Sequence, residues 1–218
     1  MNCPICAAPL DASHTNTQRG LAICDTCDTI FSLPDAPPHP APDLGPRHDL
    51  QAAPQDVTIR TRWWSPNLWP VPALSALWAV SAVIWLGSGL ASGDLFITLS
   101  GIPHATIALG LAYYSATLYR NTTTTYFSPD GLRMTHGPLP LARNVHARQA
   151  SIQRVYARQR YHRRSDEFSY GVYIRLASGR DEALLTGLPE PEAALYLVDT
   201  LRALWENPEK VPEKVNGD

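Results

Sequence analysis

Two long apolar runs, residues 68–90 and 95–119, dominate the pattern of hydrophobic and polar positions along the chain. Only Ala91-Ser92-Gly93-Asp94 separates them. Between Trp63 and Tyr119 the only Asp, Glu, Lys, Arg or His residues are Asp94 and His104. A bilayer core about 30 Å thick needs roughly 20 apolar helical residues, and each run meets that length. The pattern predicts a transmembrane helical hairpin over 61–120. A buried hairpin in a soluble fold is the competing reading. It needs enough protein to cover two helices that are apolar all round, and the flanking segments are too small and too polar. Five of the six tryptophans fall between residues 63 and 85, and Tyr113, Tyr114 and Tyr119 mark the other end. Both groups suit the headgroup level. Pro103 is expected to kink the second span. His104 is either a functional intramembrane group or a residue at the outer interface beside that kink, and the second reading is preferred.

After Arg120 the pattern changes to short strands and turns. Residues 122–127, 132–136, 152–161, 170–176 and 182–185 read as strands, and Ser128-Pro129-Asp130-Gly131 and Ser178-Gly179 as turns. A last helix is predicted over 189–205. Ala194, Leu197, Val198, Leu201, Leu204 and Trp205 give it one apolar face. Residues 121–206 are thus expected to form an α+β domain, an antiparallel sheet closed by a C-terminal helix. Residues 207–218 read as a disordered tail. Residues 34–60 are rich in Pro, Ala and Asp and read as a disordered linker.

Residues 1–33 hold all four cysteines as Cys3-x2-Cys6-x17-Cys24-x2-Cys27. This spacing fits a zinc site. Each Cys-x2-Cys places two thiolates on one tight turn, and two such turns complete a tetrahedral sulfur cage. A 33-residue segment this poor in large apolar residues cannot fold on burial alone, so metal binding would supply its folding energy. Two disulfides or a redox dithiol are the other readings; disulfides need an oxidising compartment. With Cys3, Cys6, Cys24 and Cys27 filling four positions, the zinc is expected to be structural.

Charge sets the topology. Arg60, Arg62 and Arg120 flank the hairpin, and its connector carries only Asp94. Positive charge stays on the cytoplasmic side, so both termini are expected in the cytoplasm. That compartment disfavours the disulfides. Residues 1–56 carry Arg19 and Arg47 against seven Asp, a balance of −5, within a chain of net charge −2. An acidic zinc ribbon argues against nucleic acid as partner.

The second motif is an arginine run: Arg143, Arg148, Arg154, Arg158, Arg160, Arg163 and Arg164. On the strand predicted over 152–161, Arg154, Tyr156, Arg158 and Arg160 share one face. Near a membrane this face could meet anionic headgroups or a protein; a solvated strand face is the plainer reading. No nucleophile elbow, zincin helix motif or phosphate-cradling glycine loop is present, so the chain reads as no enzyme.

Asn121-Thr122-Thr123, Gly137-Pro138-Leu139-Pro140, Ser178-Gly179-Arg180 and Leu188-Pro189-Glu190-Pro191-Glu192-Ala193-Ala194 resemble a family of uncharacterised bacterial membrane proteins. In these a two-span hairpin precedes a small pleckstrin-homology-like domain, often with an N-terminal zinc ribbon. The resemblance implies that architecture and a place in the bacterial inner membrane, and it carries no activity. The expected role is a membrane-tethered adaptor or scaffold for a cytoplasmic protein. The alternatives are a zinc or thiol redox sensor and an accessory subunit of a membrane enzyme.

Overall fold

The computed structural model describes residues 1–34, 36, 37, 39, 44–53, 55–163 and 166–206. The expected tail over 207–218, Arg164 and several positions of the expected linker lie outside the described residues. The chain divides into two compact units.

The larger unit takes in residues 1–61, 124–135 and 144–218. A six-stranded antiparallel sheet has the order β1-β2-β3-β9-β10-β11. Its strands are β1 (Thr15–Asn16), β2 (Leu21–Ile23), β3 (Thr29–Ser32), β9 (Ile152–His162), β10 (Glu167–Leu176) and β11 (Asp181–Leu188). A five-stranded sheet has the order β4-β5-β6-β7-β8. It comprises β4 (His48–Ala53), β5 (Asp56–Arg62), β6 (Thr122–Ser128), β7 (Gly131–Gly137) and β8 (Val145–Arg148). Helix α3 (Pro191–Glu206) follows β11. Its apolar face buries Ala194, Leu197, Val198, Leu201 and Leu204, all within 2% of full burial. These join Phe127, Ile59, Val57, Ile30 and Ile174 in one core. Trp205 lies at the rim. Its ring meets Phe127 edge-on at 6.3 Å and its Nε1–H donates to the Ser128 carbonyl at 3.0 Å.

Three features depart from the sequence reading. First, residues 48–53 and 56–62, most of them assigned to the linker, form paired strands. Proline and alanine content hid a period-two burial pattern in β5, where Val57 and Ile59 are buried and alternate with less buried neighbours. Second, the cysteine-bearing segment is no separate ribbon on a leash. Its β3 pairs with β9, Thr29 opposite Arg158 and Ile30 opposite Ala157. Strand β8 also went unread, being four residues long with alternating half-burial.

The smaller unit takes in residues 62–123 and 136–143. It holds α1 (Pro70–Ser92) and α2 (Leu95–Arg120), both long and apolar enough to cross a membrane. Their large side chains are left outside the protein: Leu77, Val83, Leu90, Phe96 and Leu109 are each more than two-thirds exposed. The buried positions are small. On α1 they are Ser75, Ala82 and Gly89, and on α2 they include Gly101, Ala108 and Ser115. Each set recurs every seven residues, the period of a left-handed seam. Small residues let two apolar helices approach closely where lipid offers no hydrophobic drive. Gly93 turns the chain at φ 69°, and the Asp94 carboxylate caps α2 by accepting from the Phe96 and Ile97 N–H groups. Pro103 lies inside α2.

The hairpin is inserted between β5 and β6, which are neighbours in their sheet. Its base is tied within its own unit. Asn121 is 1% exposed and brackets Leu139, donating to its carbonyl and accepting from its N–H, both at 2.8 Å. Trp63 Nε1–H donates to Thr123 Oγ1 at 2.8 Å, and Tyr113 O–H donates to the Pro140 carbonyl at 2.8 Å. Trp64 stacks on Tyr119 at 4.1 Å. The aromatic belt expected from sequence is therefore also a set of paired rings and hydrogen bonds.

Candidate metal centre

The two Cys-x2-Cys turns have the same local build. In each, the N–H of the first cysteine donates to the carbonyl five residues on: Cys3 to Ala8 at 2.8 Å, Cys24 to Thr29 at 2.9 Å. In each, the N–H four residues on returns to the first cysteine's carbonyl: Ala7 to Cys3 at 3.0 Å, Asp28 to Cys24 at 2.7 Å. The residue after the second cysteine is left-handed in both, Ala7 at φ 61° and Asp28 at φ 56°. A non-glycine residue there carries a steric cost, and its recurrence in both turns marks a backbone held by its surroundings. The left-handed step closes each loop tightly enough to aim two sulfurs at one point.

The four sulfurs converge. Cys3, Cys6, Cys24 and Cys27 place all their Sγ atoms within 4.8 Å of one another. Cys3–Cys27 and Cys6–Cys24 are 3.7 and 3.6 Å apart, and all four thiols are free. Zn–S bonds of about 2.3 Å at tetrahedral angles put sulfurs about 3.8 Å apart. The spacing fits a metal ion and is far longer than a disulfide. The disulfide alternative is therefore not what this geometry shows. Four thiolates fill a tetrahedral shell and leave no position open.

Electrostatics favour the same use. Burial pushes the Cys27 thiol up to about 12 and also raises Cys3. At Cys24 burial opposes ionisation, but the N–H groups of Cys27 and Thr26 outweigh it and draw the thiol down to about 7. Thiolates this close together repel one another, so full ionisation of the cluster needs a compensating positive charge. A divalent cation supplies the compensation that ionises all four.

The structure brings part of the arginine run to this centre. Arg154 Nη1–H donates to the Ile5 carbonyl, inside the first cysteine turn, at 3.4 Å. Arg158 lies 3.6 Å from the carboxylate of Asp28, which follows Cys27. The Gln159 N–H donates to the Asp28 carbonyl at 2.8 Å. Arg19 adds a bidentate pair with Glu192 on the first turn of α3, its Nη2 2.6 Å from Oε2. Tyr156 is 4% exposed; its ring stacks on Tyr173 at 5.8 Å with the Arg175 guanidinium at 6.0 Å. Burial, and then a hydrogen bond to Asp181, pushes its phenol up to about 12. Arg160 remains exposed. Thus Arg154 and Arg158 are turned to the cysteine segment, Tyr156 to the interior, and Arg160 to solvent. Sequence parity alone could not separate these fates, because nothing in it says that β3 joins the β9 edge.

No family model matches this chain, and no curated protein matches it significantly. The centre and the fold are therefore read from their own geometry. His104, the intramembrane candidate, is held between two indoles of α1, 5.8 Å from Trp78 and 5.7 Å from Trp85. Its Nδ1 lies 3.1 Å from the Ser100 carbonyl.

Proposed function

We propose that the protein is a membrane-anchored, non-enzymatic adaptor of the bacterial inner membrane, with structural zinc and both termini cytoplasmic. The observation that carries this reading is the joining of the four-cysteine centre to the sheet at β9. A closed metal shell that completes a sheet edge has a structural use and no open position for substrate. The sheets and α3 are read as a pleckstrin-homology-like domain. The order supports this: sheet, sheet, then a helix whose apolar face enters the core. The domain would present its remaining surface to a cytoplasmic protein partner, while α1 and α2 supply the membrane address.

A second reading, a zinc or thiol sensor, is favoured by one observation. The segment that binds metal also supplies β3, so metal loss would alter the sheet itself. Crosslinking and pull-down of the full chain from native membranes tests the adaptor reading. The adaptor recovers the same protein partner with and without mild oxidant. A sensor gains or loses that partner when zinc is released, and recovery of no specific partner in either state would reject the adaptor.

A further inference from the structure

The β9–β10 hairpin borders a basic cavity that the metal centre does not use. Its volume is about 550 Å³, and Arg158, Arg160 and Arg163 line it together with Asp28, Tyr161 and Phe168. Arg158 and Arg160 project from the same face of β9, and Arg163 follows β9 directly. Of the described residues that line it, Asp28 alone is acidic. Asp28 reaches only Arg158, at 3.6 Å, with both side chains about half exposed, and such a pair is worth little in water. Asp166 is occupied by the Tyr161 O–H at 2.5 Å. Glu167 lies opposite His162 in the register. Among the described residues, neither Arg160 nor Arg163 is in an ion pair.

We propose that this cavity is a binding site for a phosphate-bearing ligand. Three guanidinium groups around one space suit an anion with several oxygens, because each planar fork engages two oxygens and stays charged at all accessible pH. A single carboxylate would satisfy one fork and leave the others unmatched. Tyr161 and Phe168 form a tilted ring pair at 5.2 Å and are each about half exposed. The ligand is either a soluble phosphate compound or a phospholipid headgroup; both present the same oxygens. This inference is independent of the adaptor reading; the cavity borders the second cysteine turn through Asp28 and Arg158, while Arg160 and Arg163 lie away from it.

The test uses the full chain in uncharged detergent. Inorganic pyrophosphate is titrated calorimetrically, and phosphatidic acid is titrated by native mass spectrometry. The variants are R160A/R163A and, as a control, R180A, whose guanidinium instead pairs with Glu182 at 2.5 Å. Both sets of side chains are exposed, so metal content and circular dichroism should match the parent. At least one probe should bind the parent, weaken as salt rises, and lose about tenfold or more of its affinity in R160A/R163A, as for lost charge-assisted hydrogen bonds. R180A should bind like the parent. Pyrophosphate binding points to a soluble ligand, and retention of phosphatidic acid to a headgroup. Failure of both probes to bind the parent, or equal binding by R160A/R163A, overturns the proposal.

Discussion

Ile30 on β3 stands opposite Ala157 on β9, and the two are 2% and 0% exposed. Ile30 follows Cys27, the last of the four clustered cysteines, and Ala157 belongs to the longest strand among the described residues. Their burial against each other makes the cysteine-bearing segment part of the core. A metal ion held by Cys3, Cys6, Cys24 and Cys27 would therefore be linked to the stability of the larger unit.

The first consequence concerns Cys24. Replacing it by Ser removes one of four sulfur ligands from a closed shell. Elemental analysis should fall from about one equivalent of zinc to near zero. Thermal or denaturant unfolding of the full chain should lose more than about 3 kcal/mol, since structural zinc supplies folding energy on the order of 10 kcal/mol. A variant that keeps its metal, or loses it with unchanged stability, would contradict the link.

Arg19 and Glu192 give a pH-dependent test. At Glu192 burial opposes ionisation, but the Arg19 hydrogen bond and further attractions outweigh it, so its carboxyl sits below the ordinary value of 4.5. A lowered folded-state value stabilises the fold above the unfolded value, and that stabilisation disappears as pH falls through the folded value. Arg19→Ala should cost less than about 1 kcal/mol at neutral pH, because the guanidinium is half exposed. Below pH 4.5 the parent should lose this increment and converge on the variant. A stability difference that grows on acidification would show the sign to be wrong.

Gly89 tests the helix seam. A Cβ at this position would lie 2.6 Å from the Thr98 backbone nitrogen on α2. Backbone cannot move aside as a flexible side chain does, so Gly89→Val should lower hairpin stability in detergent by about 1–3 kcal/mol. Gly87, with open space around it, should tolerate Ala at little cost. Equal tolerance at the two positions would argue against the seam.

Reporter fusions at residue 1 and residue 218 test the topology. Arg60, Arg62 and Arg120 flank the hairpin and Asp94 marks its turn, so both reporters should read cytoplasmic. A periplasmic signal from either end would mean that one helix does not span.

Much of this architecture is legible in the sequence because the relevant signals are local. The apolar runs that become α1 and α2, the paired Cys-x2-Cys turns and the apolar face of α3 each declare themselves within a few turns of chain. What escaped reading is non-local. Strand β3 is four residues long and acquires its role only by pairing with β9, some 120 residues further on. Strands β4 and β5 sit in a Pro- and Ala-rich stretch and pair with each other and with a strand beyond the hairpin. Asn121 reads as a polar residue after a helix; its bracket around Leu139 depends on a loop 18 residues away. The arginine face was visible as a pattern, but its division among Ile5, Asp28 and solvent was set by that same unread β3–β9 junction.

The measurement closest to the central claim is amide hydrogen exchange of the full chain, with zinc bound and after its removal by titrating the thiols. The Gln159 N–H donates to the Asp28 carbonyl across the junction. Strand β9 also pairs along its other edge with β10, so the sheet need not dissolve when β3 leaves. If the metal centre holds β3 in the sheet, removing zinc should strip protection from Gln159 together with Cys24 and Asp28. Strand β9 amides bonded to β10 should keep more of theirs. If Gln159 stays protected while the cysteine turns open, the segment is a separate module and the account is wrong.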